Sequence, residues 1–458
     1  MEDFQGKRIT VVGLGRSGRA AANLLAEAGA RVRVSEAQFQ EKIKGDLLAL
    51  LQKGVEFEFG GHRPEGLMES DLIVLSPGVP SDMPALVAAR SEGVRIMGEV
   101  ELASLFTSAT FVGITGSNGK STTVTLLGEM LKAGGTPSLV AGNIGIALCE
   151  VVRGLSPQHI VVTELSSFQL ETIETFRCHI SVLLNISPDH LDRYPNLIAY
   201  ARAKARIFEN QRKTDFAIVN ADDELGLSLS SGIKSQLLLF SRKRALEEGC
   251  FLREGKVLFR MAGRTEEICA SEEIAIKGVH NLENAMAAVA AGSLLGLDPT
   301  LLRRALQTFP GLEHRLELVL EKDGVRYVND SKGTNVGAVL KSLESFESPI
   351  ILIAGGRDKG SDFSPLTEAA KGRVKSFILM GEAKEKIRGA VNASASVFEA
   401  YDMKDAVRRA HSLAEKGDVV LLSPACASFD MFANFEERGR VFRNEVLNLF
   451  VQEDRRRP

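Results

Sequence analysis

A chain of 458 residues exceeds what one hydrophobic core organises and implies about three domains of ordinary size. Apolar residues at 44% and charged residues at 25% exclude the disordered and fibrous classes. The formal net charge of -3 leaves no global basic field to draw in nucleic acid or an anionic membrane, although local basic sites for phosphate stay open.

The amino terminus, Met1-Glu-Asp-Phe-Gln-Gly-Lys-Arg8, lacks the apolar run of a signal peptide. No stretch reaches the roughly 18 uninterrupted apolar residues of a membrane span. The cysteines at 149, 178, 250, 269 and 426 form no CxxC pair and no spaced metal set, as in a reducing compartment. The expectation is a cytoplasmic protein.

Short β-branched runs alternate with helical patterns along the whole chain, which predicts an α/β fold with mostly parallel sheets. The first alternating block ends near Met97-Gly98-Glu99, and Phe309-Pro310-Gly311 breaks a helix before a new strand series begins. These seams divide the chain into domains 1–98, 99–311 and 312–458. No repeat or low-complexity tract interrupts them.

In the first domain, strand Ile9–Val12 runs into Gly13-Leu-Gly15-Arg16-Ser17-Gly18 and an Ala-rich helix. Such glycines either serve helix–strand packing or admit a diphosphate to the helix amino terminus. Strand Arg31–Val34 ends at Ser35-Glu36, where a dinucleotide fold carries its acidic ribose ligand, and a third strand ends at Ser76-Pro77-Gly78. Diphosphate binding is the reading adopted, with the nucleotide left open.

The second domain carries the sharper motif. Strand Phe111–Ile114 enters Thr115-Gly116-Ser117-Asn118-Gly119-Lys120-Ser121-Thr122 and then a helix. Successive N–H groups of such a loop wrap phosphate oxygens, Lys120 supplies a point charge, and the Ser121 or Thr122 hydroxyl can take Mg²⁺. The loop binds ATP on this reading, although the first glycine of the longest phosphate-loop pattern would fall at Ile114.

Three later residues extend it. Glu164 closes strand Ile160–Thr163 at the ligand edge, as a metal ligand or a solvated strand end. Strand Ser181–Asn185 leads to Ser187-Pro188-Asp189-His190, which predicts a helix start with His190 in its first turn. In the helix around Leu197–Phe208, Lys204 falls on the apolar stripe of residues 197, 200, 201, 207 and 208. A lysine there either snorkels to water or works among phosphates and metals. Asn281 and Asn284 open a further helix, as caps or as readers of an adenine edge.

In the third domain, Arg315 precedes strand Val325–Val328 and the loop Asn329-Asp330-Ser331-Lys332-Gly333-Thr334-Asn335. Gly355-Gly356-Arg357-Asp358-Lys359 and Ser423-Pro424-Ala425-Cys426-Ala427-Ser428 follow later strands. Each is ordinary turn chemistry alone. Together they converge on one crevice whose lysines, arginine and hydroxyls suit an anionic, carboxylate-bearing substrate.

With these loops in view, the chain resembles the Mur ligases of peptidoglycan precursor synthesis over essentially its whole length. The resemblance rests on the phosphate loop, Thr163-Glu164-Leu-Ser-Ser-Phe-Gln-Leu170, Asp189-His190-Leu-Asp-Arg-Tyr194, Asn329-Asp-Ser-Lys332 and Ser423-Pro-Ala-Cys-Ala-Ser428. The last of these points to the D-glutamate-adding branch.

The resemblance implies an ATP-dependent amide ligase with an acyl-phosphate intermediate, acting on UDP-N-acetylmuramoyl-L-alanine and D-glutamate. It implies ATP on the phosphate loop and on Asn281, Asn284, Arg315 and Asp330, with Lys120 at the transferred phosphate. It implies two Mg²⁺ ions served by Ser121, Glu164, His190 and a carbamylated Lys204. D-glutamate would lie on Lys332, Thr334, Lys359, Ser428 and Phe435. The uridine diphosphate would lie on Gly15, Arg16, Ser17, Ser35, Glu36, Ser76 and Asn143. The chain departs from the family where Asp-Thr-Arg is frequent after the second strand and Ser35-Glu36-Ala37 stands here. A monomer with no nucleic-acid or membrane partner is expected.

A folylpolyglutamate synthetase would share the phosphate loop but lack the roughly 100-residue block before it. An NAD-dependent oxidoreductase would leave Lys120 idle. A nucleotide switch would not explain the carboxylate-binding loops.

Overall fold

The computed structural model describes residues 2–43, 47–391 and 394–454. Three sheets follow one another along the chain. The first comprises β1 (Arg8–Val12), β2 (Arg31–Glu36), β3 (Glu56–Phe59), β4 (Leu72–Leu75) and β5 (Arg95–Gly98), all parallel, in the order β3-β2-β1-β4-β5. The order reverses direction between β1 and β4, and a doubly wound sheet opens its ligand crevice at that point. The loops there are Gly13–Gly18 and Ser76–Gly78, tied by Ser76 Oγ donating to Gly13 O at 2.9 Å. Gly18 is required by space, because a Cβ would lie 1.9 Å from Gly13 O.

The second sheet holds β6 (Thr110–Thr115), β7 (Ser138–Gly142), β8 (Ile160–Glu164), β9 (Ile180–Leu183), β10 (Phe216–Asn220), β11 (Gln236–Ser241), β12 (Gly249–Arg253), β13 (Lys256–Met261) and β14 (Arg264–Ala270). Its order is β14-β13-β12-β11-β10-β9-β6-β8-β7, parallel except for β12–β14. Strands β6, β8 and β9 are almost wholly buried and read as continuous apolar runs, as a sheet covered on both faces requires. One cover is the helix Val279–Leu294, packed against the helix Lys120–Ala133.

The third sheet contains β15 (Glu317–Lys322), β16 (Val325–Asn329), β17 (Ile350–Gly355), β18 (Val374–Met380), β19 (Ser396–Glu399) and β20 (Val419–Leu422). Its order is β15-β16-β20-β17-β18-β19, with only β15 antiparallel. Since β16, β20 and β17 are adjacent, their three carboxyl-end loops share one edge. The α/β, mostly parallel architecture read from the alternating pattern is the one observed.

One expectation is overturned. No helix begins at Ser187-Pro188; the next one starts at Leu197, after an irregular segment in which His190 takes φ +55°. The local Ser-Pro signal loses to tertiary bonds. Ser187 N donates to Ser117 Oγ at 2.8 Å, Ser117 Oγ donates to Ser187 O at 2.9 Å, and Asn118 N donates to Asn185 Oδ1 at 2.9 Å. The segment stays extended because it forms one wall of the phosphate loop.

The five cysteines are buried free thiols. Among the described residues no helix is long and apolar enough to cross a membrane.

Candidate active site

The loop after β6 turns through Gly119 at φ +88°, where a Cβ would lie 2.1 Å from Asn284 Oδ1. Glycine therefore lets the helix Val279–Leu294 come against the loop. Asn284 and Asn281 stand together there, Asn284 Nδ2 donating to Asn281 Oδ1 at 3.3 Å. The helix is capped at Gly278 without a side-chain bond, and Asn281 Nδ2 donates back to Lys277 O at 2.8 Å.

Lys120 Nζ donates to Gly116 O and Ser117 O at 2.9 and 3.0 Å. Burial lowers its basicity, Glu164 and Asp189 oppose this, and Arg315 and Lys359 add to it. Glu164, 2% exposed, accepts from Asn143 Nδ2 at 2.8 Å through Oε1, while Oε2 is buried with no hydrogen-bond partner. A buried carboxylate oxygen without a donor is costly unless a cation meets it. Among the described residues no three His, Cys, Asp or Glu side chains gather into a metal cage. That donor set suits Mg²⁺, which takes one or two protein carboxylates and completes its shell with water and phosphate oxygens. The Ser121 hydroxyl accepts from Arg315 Nη2 at 3.0 Å.

Lys204 is 2% exposed, so its place on the apolar stripe is borne out. Its ammonium lies 4.6 Å from the Tyr200 ring centre and makes no hydrogen bond or ion pair among the described residues. Burial and then Lys120 push its pKa well below that of an ordinary lysine. His190 lies 3.7 Å from Asp189 Oδ2 and packs edge-on to Phe168 at 4.9 Å. Burial lowers its pKa against the pull of Asp189.

The third domain meets this loop directly. Arg315 sits between two left-handed residues, His314 at φ +64° and Leu316 at φ +45°, and this kink aims the guanidinium at Ser121. Lys359 Nζ lies 3.4 Å from Asp189 Oδ1, and Asn335 Nδ2 donates to Asp189 Oδ2 at 3.1 Å. Burial acts to raise the Asp189 carboxyl, but Lys359, His190 and Lys120 outweigh it and hold it below the usual range.

Asp330 accepts from Ser342 Oγ and Ser423 Oγ at 2.7 Å each, and burial still lifts it to about 6. Lys332 lies 3.7 Å over the Phe435 ring; burial, then Arg315, bring it to about 8. Ser428 is buried at the start of its turn, its carbonyl accepting from Met431 and Phe432, and Thr334 is half-buried beside Lys332.

Between the first and second domains a cleft of about 740 Å³ is lined by Gly15, Arg16, Ser17, Glu36, Ser76 and Asn143 among others. Ser35 does not line it: it is 1% exposed and bonds His62 Nδ1 at 2.9 Å from below. Glu36 is held at the rim, accepting from Leu14 N at 2.7 Å and Gln38 N at 3.0 Å. Arg16 reaches across to the second domain and donates to Gly145 O, Asn143 O and Gly142 O. Asn143 belongs to this cleft and to Glu164 at once.

Family models described as Mur ligase MurD-like N-terminal domain, Mur ligase middle domain and Mur ligase glutamate ligase domain match residues 7–98, 114–292 and 314–426. The chain is 46% identical over 451 residues to the UDP-N-acetylmuramoylalanine–D-glutamate ligase of Pelotomaculum thermopropionicum, covering 98% of this chain and 99% of that one. The chain belongs to the Mur ligase family.

A second ligase of the same name, from Geotalea daltonii, is 47% identical over 97% of this chain and 98% of its own. Among solved structures, the pseudomurein peptide ligase type C of Methanothermus fervidus matches with TM-score 0.62 at 18% identity, covering 97% of this chain and all of that one. MurF of Thermotoga maritima, in complex with ADP, matches with TM-score 0.60 at 16% identity, over 100% and 97% of the two chains. Both share the fold of this chain over nearly its whole length.

Sequence reading missed several groups of this Mur ligase site. Asn185 and Asn335 lay inside motifs already singled out, so the signal was present. Gln169, which also lines the cleft, lay inside the Thr163–Leu170 motif as well, whereas His62 carries no local pattern of its own.

Proposed function

We propose that this Mur ligase adds D-glutamate to UDP-N-acetylmuramoyl-L-alanine with cleavage of ATP to ADP and phosphate, in cytoplasmic peptidoglycan precursor synthesis, as a monomer. The observation that carries the reading is the meeting of Lys120, Arg315 and Lys359 around Glu164 and Asp189, fed by two domains.

The alanyl carboxylate attacks the γ-phosphorus of ATP, the bond to the β-phosphate oxygen breaks, and an acyl phosphate forms. The D-glutamate amine then attacks the acyl carbon, loses a proton, and phosphate departs. Lys120 and Arg315 hold the transferred phosphoryl group and offset its charge, fixed in advance in a closed site. Asn281, Asn284 and Asp330 hold the nucleoside. Lys332, Thr334, Lys359, Ser428 and Phe435 form the D-glutamate pocket, with Lys332 braced on the Phe435 ring. Gly15, Arg16, Ser17, Glu36, Ser76 and Asn143 line the uridine diphosphate cleft, with Ser35 supporting it from beneath.

Mg²⁺ supplies charge neutralisation between phosphates and carboxylate when bound. Glu164 and Ser121 would hold one ion, His190 and a carbamylated Lys204 a second. The buried, unpaired Lys204 supports this. Reaction of its neutral amine with CO₂ forms an N–C bond, releases one proton and puts an anion where the neutral amine stood.

Phosphate release tests the reading. It should require UDP-N-acetylmuramoyl-L-alanine and D-glutamate together; folded protein that releases phosphate without them, or never, overturns it.

A further inference from the structure

Arg193 belongs to none of the groups assigned above. Its backbone N–H and that of Tyr194 both donate to His190 O at 3.0 Å, so it lies in the turn that carries His190. Its guanidinium leaves that turn in two directions. Nη1 donates at 3.2 Å to Pro77 O, in the β4 loop that lines the cleft between the first and second domains. Nη2 donates at 3.0 Å to Glu171 Oε2.

The same group lies over Phe168, its central carbon 3.9 Å from the ring centre, and the Phe168 ring is the one packed edge-on against His190. Glu171 is gripped from the first domain as well, accepting from Ser81 Oγ at 3.4 Å, and its other oxygen accepts from Tyr194 Oη. A planar fork of five donors can bind a carbonyl and a carboxylate while stacking on an aromatic face, which an ammonium cannot.

We propose that Arg193 is a positioning residue that couples occupancy of the sugar-nucleotide cleft to the seating of His190 beside the phosphate loop. The inference rests on the ligase reading for what fills the cleft. A ligand pressed against residues 76–80 fixes Pro77 O, Pro77 O fixes the guanidinium, and the guanidinium fixes both Phe168 and the turn behind His190. Energetic coupling of two sites needs such an element shared by both.

The test is binding of a non-hydrolysable ATP analogue with Mg²⁺, by calorimetry, with and without UDP-N-acetylmuramoyl-L-alanine. Wild type should bind the analogue at least about 5-fold more tightly when the second ligand is present, within the usual range of coupling. In Arg193→Met that ratio should fall to within about 2-fold of one, with each ligand alone binding within about 3-fold of wild type. Arg193→Lys, which keeps a charge for Glu171 but loses the fork, should recover less than half of the coupling. Phe168→Leu gives a second route should Arg193→Met fold poorly, and should lose coupling alike.

An unchanged ratio in the variants, or a wild type that binds both ligands independently, overturns the proposal. Wild type that binds no UDP-N-acetylmuramoyl-L-alanine and releases no phosphate brings down the ligase reading together with it. Wild type that turns over without coupling brings down this inference alone.

Discussion

Arg315 Nη2 donates to Ser121 Oγ at 3.0 Å, a bond between residues 194 positions apart that joins the third domain to the phosphate loop. On the proposed chemistry the guanidinium would stand where negative charge gathers on the transferred phosphoryl group. Arg315→Ala should lower kcat at least about 100-fold, the scale of losing one fixed donor at a charged transition state. Binding of UDP-N-acetylmuramoyl-L-alanine, in another cleft, should change less than about 3-fold. Steady-state phosphate release and calorimetry measure the two; a kcat within tenfold of wild type would place the arginine elsewhere in the cycle.

Glu164 Oε2 is buried without a hydrogen-bond donor, a position open to a metal ion. Glu164→Gln should weaken the apparent Mg²⁺ affinity by at least about tenfold. It should lower the melting temperature of the ligand-free enzyme, because the buried Lys120 and Arg315 lose a neighbouring carboxylate. A magnesium titration of activity and a thermal scan decide it, and an unchanged magnesium dependence would remove Glu164 from the ligand set.

For Lys204 the expectation separates two chemistries. Lys204→Ala should lose activity and regain part of it with formate or acetate, while Lys204→Arg, a cation that cannot carry CO₂, should not be rescued. In wild type supplied with ¹³C-bicarbonate, a carbamate carbon resonance should appear that Lys204→Ala lacks. Full activity of Lys204→Ala excludes the carbamate role.

Glu99 offers a pH prediction away from the phosphate loop. It opens the helix after the first sheet, 2% exposed, with Oε1 accepting from Cys149 N at 2.8 Å and Oε2 unpartnered. Burial lifts it to about 7, against the Cys149 bonds and Arg16. The folded protein therefore holds a proton there that the unfolded chain releases near 4.5. The resulting stability is present below that value and is lost as pH rises through about 7. Glu99→Gln should gain on wild type across this window by an amount on the order of 3 kcal/mol. Denaturant unfolding at several pH values reads it; a difference flat with pH would mean that Glu99 stays ionised when folded.

Much of this molecule was legible because α/β proteins keep their chemistry at strand ends. Glycines and a lysine after β6, a carboxylate ending β8 and polar loops after β16, β17 and β20 all lie where the alternating pattern put them. Lys204 was legible through spacing alone, since three- and four-residue intervals set a charge on a buried stripe. The turn at Ser187–His190 was not, because its conformation is decided by Ser117 and Asn118, about 70 residues away. Arg16 sits in a glycine-rich loop that suggests phosphate, yet its side chain is spent on carbonyls of residues 142–145. No local window contains those acceptors. The kink at His314 and Leu316 was not legible either: histidine enters left-handed backbone more readily than most residues, but leucine does not, and nothing local marks the pair.

That kink has a pharmacological consequence. Because Arg315 reaches Ser121 only while residues 314–316 hold their shape and the third sheet stays docked, nucleotide affinity belongs to the assembled molecule rather than to the phosphate loop by itself. A compound that straightened residues 314–316 would antagonise ATP without resembling a nucleotide, and so without competing for the phosphate loops of other enzymes.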